Sequence, residues 1–136
     1  MPRDYVLMAS PFDAPQAELA WMFLLGLCGE DNLDDLFALV SDDFSYWSLL
    51  GRKAVGAKQL RLIAERRRIG LQITLELVRC ISEQETVVIE AHGGCDAADG
   101  SHYESPVVFV VDTRDGRIVS VREYADTRSA WDMLGV

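Results

Sequence analysis

Two β-like runs near the carboxyl end of the chain are joined by Thr113-Arg114-Asp115-Gly116, and the second run closes on a dense polar cluster, Arg122-Glu123-Tyr124 with Asp126. A strand that only has to pack does not usually end on so many ionisable groups. A polar floor at one end of an apolar sheet is a common way to build a small-ligand pocket. Side chains alternate faces along a strand. Val119, Val121, Glu123 and Ala125 therefore share one face, and Ile118, Ser120, Arg122 and Tyr124 share the other. On an earlier run the same alternation groups Val88, Glu90 and His92. One face is expected to line a pocket and the other to form outer surface or a dimer contact.

Other chemistries fit less well. His92, Cys95 and Asp96 are three possible metal ligands on one Gly-rich stretch, but they lack the distant second pair of a zinc site, so no metal is expected. Cys28, Cys80 and Cys95 contain no CxxC pair, and an odd, scattered set suits free thiols in a reducing compartment. The formal charge of −9 argues against nucleic acid as partner. That charge is uneven: residues 52–68 carry seven bases (Arg52, Lys53, Lys58, Arg61, Arg66, Arg67, Arg68) against Glu65 alone. Glu30, Asp31, Asp34, Asp35, Asp42 and Asp43 lie just upstream with no base among them. The basic run reads either as an anion- or partner-binding helix or as a solvated face complemented by the acidic segment.

The elements that must position these residues are legible from periodicity. Residues 13–30 carry Leu19, Met22, Phe23 and Leu27 at helical spacing, with Asp13 as cap, Pro15 in the first turn and Gln16 at the capping-box position. Gly29 and Asp31-Asn32 interrupt the run, and Leu33, Leu36, Phe37 and Val40 mark a second, short helix. Residues 44–50 alternate as an aromatic-rich strand. A third helix is expected over 56–68, with Leu60, Ile63 and Ala64 inward. From residue 71 the period becomes that of strands: 71–82, 86–94, 103–112 and 117–125 are rich in Val, Ile and Thr. Short connections with turn residues imply an antiparallel meander. A final helix is expected over 127–134, capped by Thr127 and tied down by Ala130, Trp131 and Leu134.

Helices first and an antiparallel sheet afterwards define an α+β fold, read as a single domain over residues 1–136. The order of elements, the segment SDDFSYWS, the helix after AVG and above all DGRIVSVREYAD resemble the nuclear transport factor 2-like superfamily. The resemblance runs from about Pro15 to Leu134 and is nearest to SnoaL-like polyketide cyclases, limonene epoxide hydrolases and ketosteroid isomerases. It implies a cystatin-like cone: three helices on a strongly curved antiparallel or mixed sheet, a short C-terminal helix, and a cavity between the layers.

The resemblance also implies site residues. Glu123 stands where the epoxide hydrolases place the Asp of a strand-end Arg-Asp-Tyr. Glu90 and His92 are matched to their Arg-x-Asp, and Tyr46 and Ser48 to the Tyr and Asn that hold the attacking water. With Glu in place of that Arg, Glu90 and Glu123 become neighbours of like charge, which raises the pKa of one or keeps His92 protonated between them. Such groups suit general acid/base catalysis. The ketosteroid isomerase carboxyls are not retained: its base falls at or beside Ser48 and its acid among residues 107–109. The cyclase Asp falls near Tyr103.

The expected function is binding of a small, largely apolar organic molecule, followed by cofactor-independent isomerase, lyase, cyclase or hydrolase chemistry. His92 and Glu123 are the expected proton-transfer groups, Glu90 their pKa partner and Tyr46 a donor. Ser48, Trp21, Trp47, Tyr103, Val107 and Phe109 are the expected substrate contacts. The alternative is a non-catalytic binding or dimerisation module, in which His92 caps backbone groups and Glu90 and Glu123 are solvated. A homodimer through the outer sheet face, a cytoplasmic location and no membrane span complete the expectation.

Overall fold

A computed structural model of the chain describes residues 12, 14–126 and 128. Helix α1 spans Pro15–Cys28, with Pro15 in the first turn, where its missing N–H is not needed, and Ala14 preceding it without a side-chain cap. Asp13, the expected cap, lies outside the described residues. Helix α2 is one short segment, Leu33–Phe37, capped by Asn32, whose Oδ1 accepts from the Asp35 amide at 3.0 Å.

The second helix was expected to include Val40. Instead Ala38 closes α2, and Val40 opens strand β1, Val40–Ser48, where it pairs with Ile118. A β-branched residue with a strand partner gains more from the ladder than from a frayed last helical turn. A strand that was not anticipated, β2 at Lys53–Val55, folds back on β1. Helix α3, Ala57–Gly70, follows, and then the meander: β3 at Leu71–Glu83, β4 at Thr86–Ala97, β5 at His102–Arg114 and β6 at Arg117–Ala125.

The six strands form one curved, mixed sheet in the order β2-β1-β6-β5-β4-β3. The meander is antiparallel throughout, whereas β1 lies parallel to β6. The β5–β6 connection is a two-residue turn: Asp115 and Gly116 both have positive φ, 53° and 76°, the geometry whose twist matches flanking strands. The expected helix over 127–134 lies outside the described residues apart from Arg128. Among the described residues, no helix is long and apolar enough to cross a membrane.

Register fixes two faces. On the inner face Tyr46 stands beside Val121 and Val111, and Ser48 beside Glu123, Phe109 and Ile89. On the outer face Trp47 stands beside Arg122, Val110 and Val88. The inner row is buried, with Val87, Ile89, Val111 and Val121 at most 1% exposed. Ile118, expected on the outer face with Ser120, Arg122 and Tyr124, is fully buried too, because the register shifts between Asp112 and Thr113 and breaks the alternation at the start of β6. Helix α1 lies over it through Ala17, Ala20, Phe23 and Leu24, all at most 1% exposed.

Phe23 is the centre of this layer, with its ring edge-on to Phe37 at 5.9 Å and to Phe44 at 5.7 Å. The acidic and basic segments meet through two arginines of α3. Arg61 pairs with Asp34 at 2.7 Å, and Arg68 donates to the carbonyls of Asp31 and Gly26 at 2.9 Å each. Removing the Phe23 ring leaves a void that its rigid neighbours cannot fill, so Phe23→Ala is expected to destabilise the fold by about 3–5 kcal/mol. A urea-unfolding midpoint that stays at the wild-type value would contradict that packing role.

Candidate functional site

Between the inner sheet face and helices α1 and α3 lies a cavity of about 150 Å³. A volume of that order admits a single benzene-sized ring when the walls are apolar. Helix α1 supplies Leu24, Leu27 and Cys28, and α3 supplies Leu60, Ile63, Ala64 and Arg67. The sheet supplies Ile73 and Leu75 from β3, Gly93 to Cys95 from β4, Tyr103, Ser105, Val107 and Phe109 from β5, and Glu123 and Ala125 from β6. Tyr46 and Ser48 of β1, with Leu50 and Asp126, complete the wall.

The polar centre is the pair Tyr46 and Glu123, with the Tyr46 hydroxyl donating to Glu123 Oε1. Parallel pairing of β1 with β6 brings these residues, 77 positions apart, onto adjacent strands of one face. Burial pushes the Tyr46 hydroxyl well above its usual range, and the neighbouring Glu123 charge and hydrogen bond push it further. Tyr46 therefore stays a neutral donor at physiological pH. Cys28 is pushed up to about 12, first by burial and then by Glu123, with the Arg67 charge opposing. Cys95 is raised by burial, again against Arg67. The two cavity thiols are thus kept protonated and are poor nucleophiles.

The structure brings Tyr46, Ser48, Tyr103, Val107, Phe109 and Glu123 together at this cavity. Ser48 Oγ accepts from the Leu50 amide at 3.2 Å, and the Tyr103 hydroxyl donates to the Asp126 carbonyl at 3.2 Å. It does not bring Glu90 and His92 there. Ile89 pairs with Phe109 and Phe109 with Glu123, so Glu90 and His92 occupy the opposite face. The apolar alternation of Val87, Ile89 and Ala91 already marks the inner phase of β4, and it overrides the phase implied by matching Glu90 and His92 to the hydrolase motif.

On that outer face Glu90 lies 3.8 Å from Arg79, and His92 Nε2 meets Glu104 at 2.8 Å. Glu104 also meets His102 Nε2 at 2.5 Å, and His102 Nδ1 meets Asp96 at 2.6 Å. The expected Glu90–Glu123 repulsion accordingly has no geometric basis. Trp47 is also on the outer face, its ring 5.3 Å from that of Tyr124, and Trp21 packs against the core without lining the cavity. Among the described residues, no group of three or more His, Cys, Asp or Glu is arranged to hold a metal ion.

Arg67 and Cys28 are cavity residues that the sequence reading did not single out. A signal for Arg67 was present, since it continues the inward helical stripe Leu60, Ile63, Ala64 at i+7, i+4 and i+3. Cys28 sits one residue after Leu27, at the end of α1, where spacing alone does not decide a face.

Helices laid on a curved mixed sheet, with a small pocket between the layers and a carboxylate in its wall, define the nuclear transport factor 2-like class of α+β protein. The sequence model of the SnoaL-like domain matches residues 24–121. The chain belongs to the SnoaL-like domain family. Comparison with curated protein sequences gives no match.

Several solved structures share the fold. A protein with a ketosteroid isomerase-like fold from Catenulispora acidiphila, in complex with trimethylamine, superposes with a TM-score of 0.74 at 19% identity, over 88% of this chain and 93% of that one. A Mycobacterium tuberculosis LEH-like epoxide hydrolase gives 0.73 at 18% identity, over 87% of each chain. A protein of unknown function from Burkholderia pseudomallei, also of the nuclear transport factor 2-like type, gives 0.77 at 14% identity, over 90% of this chain and 99% of that one.

The half-buried Cys28 thiol links the site to stability. An unfolded thiol releases its proton near pH 9.0, whereas the folded one holds it to about pH 12. Its contribution is therefore complete below pH 9 and is lost as pH rises from 9 towards 12. Thermal melts across that window are expected to show a smaller alkaline loss for Cys28→Ala than for wild type, and parallel curves would refute the assignment.

Proposed function

We propose that this protein binds a small, largely apolar organic molecule in the cavity and moves a proton on it without a cofactor, with Glu123 as the proton-transfer group. The observation that carries this reading is the Tyr46 hydroxyl donating to Glu123 Oε1 inside a mostly apolar wall. Tyr46 holds the carboxylate in one orientation. Among the described residues no other donor engages it, so Oε2 keeps its lone pairs for an incoming proton.

Glu123 takes a proton from an acidic carbon or from water, and returns it to a second atom of the bound molecule. Isomerisation, elimination, ring closure and hydrolysis by an activated water all reduce to that exchange. Ser48, Tyr103, Val107 and Phe109 shape the space around it. The protein is read as a cytoplasmic one, whose cysteines remain thiols.

A non-catalytic ligand carrier is the second reading. It is favoured by the position of His92, which lies on the far side of the sheet with Glu104 and not beside Glu123. Turnover of a panel of single-ring ketones and epoxides separates the two. Glu123→Gln is expected to lower the rate roughly 10²–10⁴-fold, whereas His92→Ala leaves it unchanged. Equal rates for Glu123→Gln and wild type rule out Glu123 as the proton carrier, and binding without any turnover leaves the carrier reading.

We also propose that two copies pair through the outer sheet face. Trp47 and Tyr124 pack there with tilted rings beside Val88, Val108 and Val110, and Tyr124 remains 39% exposed. Sedimentation velocity is expected to give a dimer for wild type and a monomer for Tyr124→Glu. A wild-type monomer at high micromolar concentration removes the proposal.

A further inference from the structure

Of the five bases on helix α3, Lys58, Arg66 and Arg67 have no hydrogen-bond or ion-pair partner among the described residues, and of these three Arg67 alone lines the cavity. Arg61 is held by Asp34 at 2.7 Å and approaches Glu65 at 3.7 Å, and Arg68 is held by the Asp31 and Gly26 carbonyls. Arg67 lies in the last turn of α3 and lines the cavity. Among the described residues its guanidinium has no hydrogen-bond or ion-pair partner. It continues the stripe Leu60, Ile63, Ala64 to the exposed end of the helix, so a permanent cation stands at the margin of the cavity wall.

Its charge reaches groups on three separate walls: Cys28 at the end of α1, Tyr46 on β1 and Cys95 on β4. In each case it favours the anionic form. Burial outweighs it at all three groups, so they stay neutral, and the guanidinium that lines the cavity without a protein carboxylate on it is left open to an anionic ligand group. Glu123, on the sheet wall, does not substitute for that partner. It is engaged by Tyr46.

We propose that Arg67 is the recognition group for an acidic function on the cavity ligand, which makes the ligand class a one-ring organic anion such as a monocyclic carboxylate. The proposal rests on the reading that the cavity takes a small organic molecule and adds the charge of that molecule. The carboxylate or enolate-like oxygen sits at the Arg67 end, where guanidinium geometry suits two parallel hydrogen bonds. The apolar ring packs on the wall formed by Leu60, Ile63, Val107 and Phe109, a cavity to which Glu123 also contributes. The acidic group thus fixes which ring atom faces the proton-transfer carboxylate.

Binding of three isosteric probes, benzoate, benzamide and benzylamine, to the full chain by calorimetry at neutral pH tests this directly. Wild type is expected to prefer benzoate, and Arg67→Gln is expected to weaken benzoate roughly tenfold or more while leaving benzamide unchanged. Arg67→Lys keeps part of the preference because the charge survives without the fork. Arg66→Gln, which alters a neighbouring base that does not line the cavity, leaves benzoate binding at the wild-type level.

Benzamide or benzylamine binding as well as benzoate, or an Arg67→Gln variant that binds benzoate like wild type, overturns the Arg67 assignment and leaves the small-molecule cavity standing. An equal loss in Arg66→Gln also overturns it, because the preference then comes from the general basic surface. No binding of any of the three defeats the cavity reading together with this one.

Discussion

The register of β6 between β1 and β5 decides what this cavity contains. Side chains alternate along a regular strand, so a slip of one residue through its paired length exchanges the two faces. In the observed register Glu123 stands beside Ser48 on one side and Phe109 on the other, all facing the helices. One step further and Arg122 would face inward while Glu123 entered the outer surface. Burial of Ile118 and Val121 on the same strand, and of Val107, Phe109 and Val111 on the next, holds the register in place. The two-residue turn at Asp115-Gly116 holds it from the other end. The carboxylate is thus positioned by apolar packing at a distance from it.

Much of this arrangement was readable from the amino-acid order, and the part that was not has a specific cause. The four strands of the meander, their hairpins and the helices announce themselves through period and turn residues, whereas alternation leaves the two faces of β6 open and only the resemblance selects the one that carries Glu123. The relative phase of neighbouring strands does not follow from alternation within one strand. It depends on which residues pair across the ladder. For β4 the likeness of Glu90 and His92 to a hydrolase motif suggests one phase, whereas the apolar Val87, Ile89 and Ala91 mark the other, which the ladder adopts. Tyr46 reaches Glu123 only because β1 runs parallel to β6, a long-range pairing that no local pattern encodes. Val40 was assigned to a helix for a related reason, since its strand partner Ile118 lies 78 positions away.

The site that results is polar at few points, and each point is accounted for differently. A hydroxyl or carboxylate left alone in a dry cavity costs more than a hydrogen bond returns, which is why such groups are found in pairs. Tyr46 and Glu123 satisfy each other in this way, and burial keeps Tyr46 a donor. Cys28 and Cys95 meet the same constraint by staying protonated, so they act as apolar wall.

Arg67 obeys neither rule, because a guanidinium cannot shed its charge and no described side chain answers it. It tolerates that position by remaining partly in solvent at the end of α3, where the helix carbonyls favour a cation. The cavity therefore has one polar group closed by an internal hydrogen bond and one without a protein partner. That asymmetry, more than the apolar lining, distinguishes this pocket from a simple packing defect between a sheet and its helices.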